Sequence, residues 1–133
     1  MTNGSERAYL DSSALVKLVI REAESDQLRD AVAGLASQAS SELALVEVTR
    51  RARAFGRDAE ARARSVLGNT RLRPIDRMTL DLAAEIDPPG LRSLDAIHLA
   101  TALSLDGLDM FISYDSRLNA AAAAVGLNVE SPA

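Results

Sequence analysis

Ala8-Tyr9-Leu10-Asp11-Ser12-Ser13-Ala14-Leu15-Val16-Lys17-Leu18-Val19-Ile20 decides the fold: a short apolar run stops at an acid, two serines follow, and a longer apolar stretch begins. The first part reads as a buried strand and the second as a helix, with small polar residues capping it. Met110-Phe111-Ile112 followed by Asp115-Ser116 repeats the arrangement near the other end of the chain. Glu42 and Asp95 stand at two further places where an apolar run is expected to give way to a helix. If these runs are parallel strands of one sheet, all four acids reach its carboxyl-terminal edge, where open α/β sheets place their ligand sites.

Between these anchors the pattern alternates. Leu28, Ala31, Val32 and Leu35 give a helical spacing over 22–35, and Ser37 to Ser41 form a small, polar segment that can be a strand only if its neighbours cover it. Leu43, Val46, Arg50 and Ala54 predict a helix from Glu42 to Gly56, and a second one runs from Asp58 to Leu67. Leu72-Arg73-Pro74-Ile75 reads as a strand at an edge or end, because proline cannot donate to a ladder. Asp76 then caps a helix to Ile86, and Asp87-Pro88-Pro89-Gly90 forms a loop. Ser93 is expected to cap a helix through Leu105, an alanine-rich helix runs from Asp115 to Gly126, and Leu127-Asn128-Val129 closes as a strand. Strands alternating with helices predict a parallel sheet with helices on both faces, one domain over residues 1–133.

Composition narrows the function. The 133 residues are 47% hydrophobic and 26% charged, an ordinary globular balance, and the absence of cysteine excludes thiol nucleophiles and cysteine zinc sites. No stretch is long and apolar enough to span a bilayer and the amino terminus is not signal-like, so a cytoplasmic location is expected. The net charge of −4 disfavours a nucleic-acid partner, but without the four candidate acids the remainder is neutral, and the arginines concentrate between Arg50 and Arg77. That segment either contacts RNA phosphates or is a solvated helix face with its own ion pairs. With 3% aromatic residues and no tryptophan, stacking on exposed rings is a minor resource.

Each acid alone can be explained as a helix cap or a favourable charge at a helix amino terminus, contributing about 0.3–2 kcal/mol. Together they are different: two carboxylates about 5 Å apart repel by roughly 3 kcal/mol at an effective dielectric of about 20. Such a cluster keeps a proton or binds a divalent cation.

The segments 8–15, Ser41-Glu42-Leu43, Leu94-Asp95-Ala96-Ile97-His98-Leu99-Ala100-Thr101-Ala102 and Ile112-Ser113-Tyr114-Asp115-Ser116-Arg117-Leu118 resemble the successive motifs of PIN-domain ribonucleases, the VapC-type toxins of bacterial toxin–antitoxin pairs in particular. The resemblance covers nearly the whole chain, and Ser41-Glu42-Leu43 is its weakest part. It implies an α/β/α sandwich around a mainly parallel sheet, and Asp11, Glu42, Asp95 and Asp115 as a catalytic and metal-binding site for Mg²⁺ or Mn²⁺. Asp11 and Asp115 would be the principal ligands. It also implies hydrolysis of RNA to 5′-phosphate and 3′-hydroxyl ends, a cognate antitoxin and a homodimer.

Ser13 and Ser113 either orient a carboxylate or metal-bound water or merely bond locally. Arg117 is a phosphate contact or a surface charge. His98, the sole histidine, is expected to be a buried, hydrogen-bonded structural residue. Glu47, five residues past Glu42 and so turned well away on a helix, falls outside the expected site and pairs with Arg50 or Arg51. Two other functions compete with the nuclease. An aspartyl-phosphate phosphatase would want a second aspartate where Ser13 stands, and a binding module that has lost catalysis would gain nothing from keeping four repelling acids.

Overall fold

Strand alternation builds both halves of the core. The structure, a computed structural model, describes residues 4–133. In β1 (Arg7–Leu10), Ala8 and Leu10 point to one face of the sheet and Tyr9 to the other. In β4 (Met110–Ile112), Met110 and Ile112 join the first face while Phe111 joins Tyr9, the two rings stacking with centroids 5.4 Å apart. These strands pair in parallel, Tyr9 opposite Phe111.

The first face is covered by α1 (Ser12–Val19), α2 (Ser25–Ala33), α3 (Leu43–Arg53) and α4 (Arg57–Gly68), through Leu15, Leu28, Val48 and Ala63 among others. The second is covered by α6 (Ser93–Leu103) and α7 (Ser116–Ala124), through Leu99, Leu118 and Ala122. Helix α5 (Arg77–Ala84) packs on α6. The result is the expected three-layer α/β/α sandwich. With β2 (Ser37–Ser41), β3 (Arg71–Arg73) and β5 (Val129–Glu130), the sheet has the order β3-β2-β1-β4-β5, every pair parallel. No helix among the described residues is long and apolar enough to cross a membrane.

One conditional expectation holds and two shift. The polar β2 is a true inner strand: Ser40 and Ser41 are fully buried, and Gln38 donates to Thr70 at 2.9 Å. The strand before Pro74 begins one residue early and lies at the sheet edge, which suits the proline that follows it. Arg92, not Ser93, occupies the cap position of α6, and Ser93 is the first helical residue. Gly56 and Gly126 take φ of 98° and 91°, the left-handed region that lets the chain turn after α3 and α7 without a Cβ clash.

Because Phe111 is fully buried and stacked on Tyr9, Phe111→Ala is expected to lower the unfolding free energy by about 3–5 kcal/mol. Urea denaturation measures this. A loss below about 1 kcal/mol would show that the layer can collapse around the missing ring.

Candidate metal and catalytic site

The sheet order reverses direction between β1 and β4, since β2 and β3 lie on one side of that pair and β5 on the other. In open parallel sheets the crevice beyond the carboxyl ends of such a pair is where ligands bind. Asp11 follows β1 directly, and Asp115 lies three residues beyond the end of β4. Both cap the helices that leave the crevice.

Asp11 has extended backbone angles, and its Oδ1 accepts from the Ala14 N–H at 3.0 Å and from Ser13 Oγ at 2.7 Å. Its Oδ2 accepts from Ser113 Oγ at 2.9 Å. The carboxylate is almost fully buried, and burial pushes its pKa above the usual aspartate value despite these bonds and the nearby His98. Ser113 Oγ also accepts the Asp115 N–H at 3.1 Å, and Ser13 Oγ accepts the Tyr114 N–H at 3.0 Å. The two serines thus tie the β1–α1 junction to the β4–α7 junction.

Asp115 uses Oδ1 to accept from the backbone N–H groups of Arg117 and Leu118, both at 3.0 Å. Its Oδ2 meets Arg92 Nη2 at 3.1 Å, and the Nε of the same guanidinium lies 3.4 Å from Asp95 Oδ2. Asp95 is held above the usual aspartate pKa, first by burial and then by the charge of Asp115, with Arg92 opposing both. Asp95 belongs to the first turn of α6, which no strand immediately precedes, because β3, α5 and a loop come before it. Of the four candidate acids, Asp11, Glu42 and Asp115 therefore stand at strand-to-helix junctions and Asp95 does not.

Glu42 is not brought to this cluster. It is exposed, stands just before α3 with helical backbone angles, and caps nothing with its side chain. Glu47 is there instead. Its Oε1 accepts from Ser12 Oγ at 2.5 Å and lies 2.9 Å from His98 Nε2. Burial pushes the Glu47 carboxyl up, but the bonds from His98 and Ser12 and the charges of His98 and Arg92 outweigh it and hold it below the usual glutamate pKa.

The reason lies in helix phase. Taking Leu43, Val46 and Arg50 as the packed stripe of α3 leaves Glu47 outside, whereas the buried residues are Ala44, Val48 and Ala52, and Val46 is 55% exposed. Five residues rotate a helix by about 140° beyond a full turn, so Glu42 and Glu47 cannot share a direction. Small Ala44 and Ala52 were the available signal for the buried face.

His98 is buried, as expected, but it is also the support of Glu47. A carboxylate only accepts, so His98 donates from Nε2 to Glu47, and its other ring nitrogen, Nδ1, lies 2.6 Å from the Tyr9 hydroxyl. Burial raises the Tyr9 pKa and keeps that hydroxyl protonated as a donor. The chain Tyr9–His98–Glu47 runs from the core to the crevice.

The donor chemistry fits a hard divalent cation: carboxylate oxygens, no thiol, and one imidazole already committed. Among the described residues no three such groups stand in a ready-made ligand shell, and Asp95 and Asp115 close on Arg92 instead. A divalent ion would compete with that guanidinium. Arg92→Gln is accordingly expected to tighten Mn²⁺ binding about two- to fivefold, a modest effect because Arg92 is largely exposed. Calorimetry reads it, and unchanged or weaker binding would show that Arg92 does not compete. Of the other arginines, Arg62 donates to the Val19 carbonyl at 2.8 Å and Arg77 pairs with Asp81, while Arg50, Arg53, Arg57 and Arg64 are exposed.

The model of the PIN domain matches residues 8–124. Ribonuclease VapC46 of Mycobacterium tuberculosis is 44% identical over 126 residues, which cover 93% of this chain and 96% of that protein. Ribonuclease VapC47 of the same species is 38% identical over 130 residues, with the same coverage of 93% and 96%. Among solved structures, Mycobacterium tuberculosis VapC20, titled a Sarcin-Ricin loop cleaving toxin, superposes with a TM-score of 0.71 at 19% identity, covering 94% of this chain and 99% of that one. A toxin–antitoxin complex from Klebsiella pneumoniae gives 0.68 at 21% identity over 95% of this chain and 98% of that one. The fold, the order of its motifs and these relatives agree, and the chain belongs to the PIN domain family.

Proposed function

We propose that this protein is a metal-dependent endoribonuclease, the toxin of a toxin–antitoxin pair, acting as one nuclease domain over residues 1–133. The observation that carries the reading is the pair of acids at the switch of the sheet, Asp11 and Asp115, joined through Ser113 in a chain closely related to named ribonucleases. Asp11, Asp95 and Asp115 would hold Mg²⁺ or Mn²⁺, with Glu47 in the place first expected for Glu42. The ion, when bound, supplies Lewis-acid activation of water and charge stabilisation at phosphorus.

The chain's own residues do the rest. Ser13 and Ser113 fix the orientation of the Asp11 carboxylate, and His98 fixes Glu47. Arg92 and Arg117, which border the same shallow cavity beside Asp115, are placed to bind an RNA phosphate. We place the protein in the cytoplasm as a homodimer, and α5 leaves Met78 and Leu82, one turn apart on the same side of the helix, exposed as an apolar surface suited to a second copy. A cognate antitoxin would neutralise it.

Expression in a bacterial host tests the reading. Wild type is expected to arrest growth, and Asp115→Asn to permit growth at equal protein level. Arrest by both forms would point to binding without catalysis and contradict the nuclease.

A further inference from the structure

A cavity of about 580 Å³ opens beside the acids, between the loop at 87–91 and α7. One wall is a row of Ala120, Ala121 and Ala124, the other is Pro88 and Leu91, and Arg117 and Asp87 are its charged members. Arg117 also borders the cavity that contains Asp115 and Arg92, so the two spaces are neighbours on either side of that residue. From Arg117 to Ala124 the helix rises about 10 Å, long enough for one or two nucleotides of an extended strand.

We propose that this cavity is the subsite for one base of the RNA next to the bond that is cut, and that its preferred occupant is guanine. The inference rests on the ribonuclease reading of the neighbouring acids. Its apolar walls offer flat contact to a ring in a chain almost without exposed aromatics, and single-stranded RNA can splay a base into such a space. Arg117 stands between the cavity and the acids, where the phosphate joining the two nucleotides would pass. Asp87 supplies the choice. A carboxylate presents two acceptors and no donor, and guanine is the base whose Watson–Crick edge carries two adjacent N–H donors.

Titration of the metal-free protein with guanosine 5′-monophosphate tests this, read by the NMR signals of the Ala120, Ala121 and Ala124 methyl groups. Uridine 5′-monophosphate and inorganic phosphate serve as controls. Guanosine 5′-monophosphate is expected to shift these methyls and bind about tenfold tighter than the uridine nucleotide, and Asp87→Asn to erase the difference. Equal responses to both nucleotides, or none at these methyls, would overturn the subsite. The reading needs no catalysis: selective binding without RNA cleavage would count against the nuclease alone, and cleavage without selective binding against the subsite alone.

Discussion

Asp11→Asn is expected to abolish RNA cleavage, with a loss on the order of a thousandfold, while raising the thermal midpoint of the metal-free protein. The two effects have one cause. Asp11 is buried, its hydrogen-bond partners are the Ser13 and Ser113 hydroxyls and the Ala14 N–H, and its pKa is raised above the ordinary value. A carboxyl whose folded pKa lies above its unfolded one contributes stability that is fully present below the unfolded pKa and is lost as pH rises through the folded value. At neutral pH, without metal, the ionised Asp11 therefore weakens the fold. Asparagine keeps an oxygen to accept from Ser13 and Ala14 and removes the charge. The stability gap between variant and wild type should narrow as pH falls towards the ordinary aspartate pKa. Thermal melts across that range would record it, and a variant less stable than wild type at neutral pH would contradict the account of Asp11 as a desolvated charge awaiting a cation.

The second large effect separates two glutamates five residues apart. Glu47→Gln is expected to reduce cleavage about 10- to 100-fold, and Glu42→Gln to leave it near wild type. Glu47 is held by Ser12 and His98 in the crevice, whereas Glu42 is exposed and caps nothing. Initial rates on one RNA at saturating metal suffice. The reverse ranking would restore Glu42 and mean that the Tyr9–His98–Glu47 chain serves the fold alone.

That pair also shows what the sequence could and could not disclose. Strand–acid–helix junctions at Asp11 and Asp115 are legible because buried parallel strands are short apolar runs and their following helices need caps, so composition changes sharply at the site itself. Strand β2 was legible only as a conditional, since Ser37 to Ser41 acquire their burial from the strands on either side. In α3 the apolar spacing misled: Val46 is exposed, and Val48 with the small Ala44 and Ala52 carries the packing, which moved the expected site by five residues. Arg92 left no local trace. It acts on Asp115 across 23 positions of sequence, and only the packing of α6 beside α7 joins them.

In the proposed function these carboxylates bind a divalent ion in order to cut RNA. The most direct measurement is a Mn²⁺ titration of antitoxin-free protein in which calorimetric binding and cleavage of a single-stranded RNA are followed over the same concentrations. Cleavage should be absent in chelator, rise with occupancy of the binding isotherm, and vanish together with that isotherm in Asp11→Asn. Cleavage that persists in chelator, or metal binding that Asp11→Asn leaves unchanged, would contradict it.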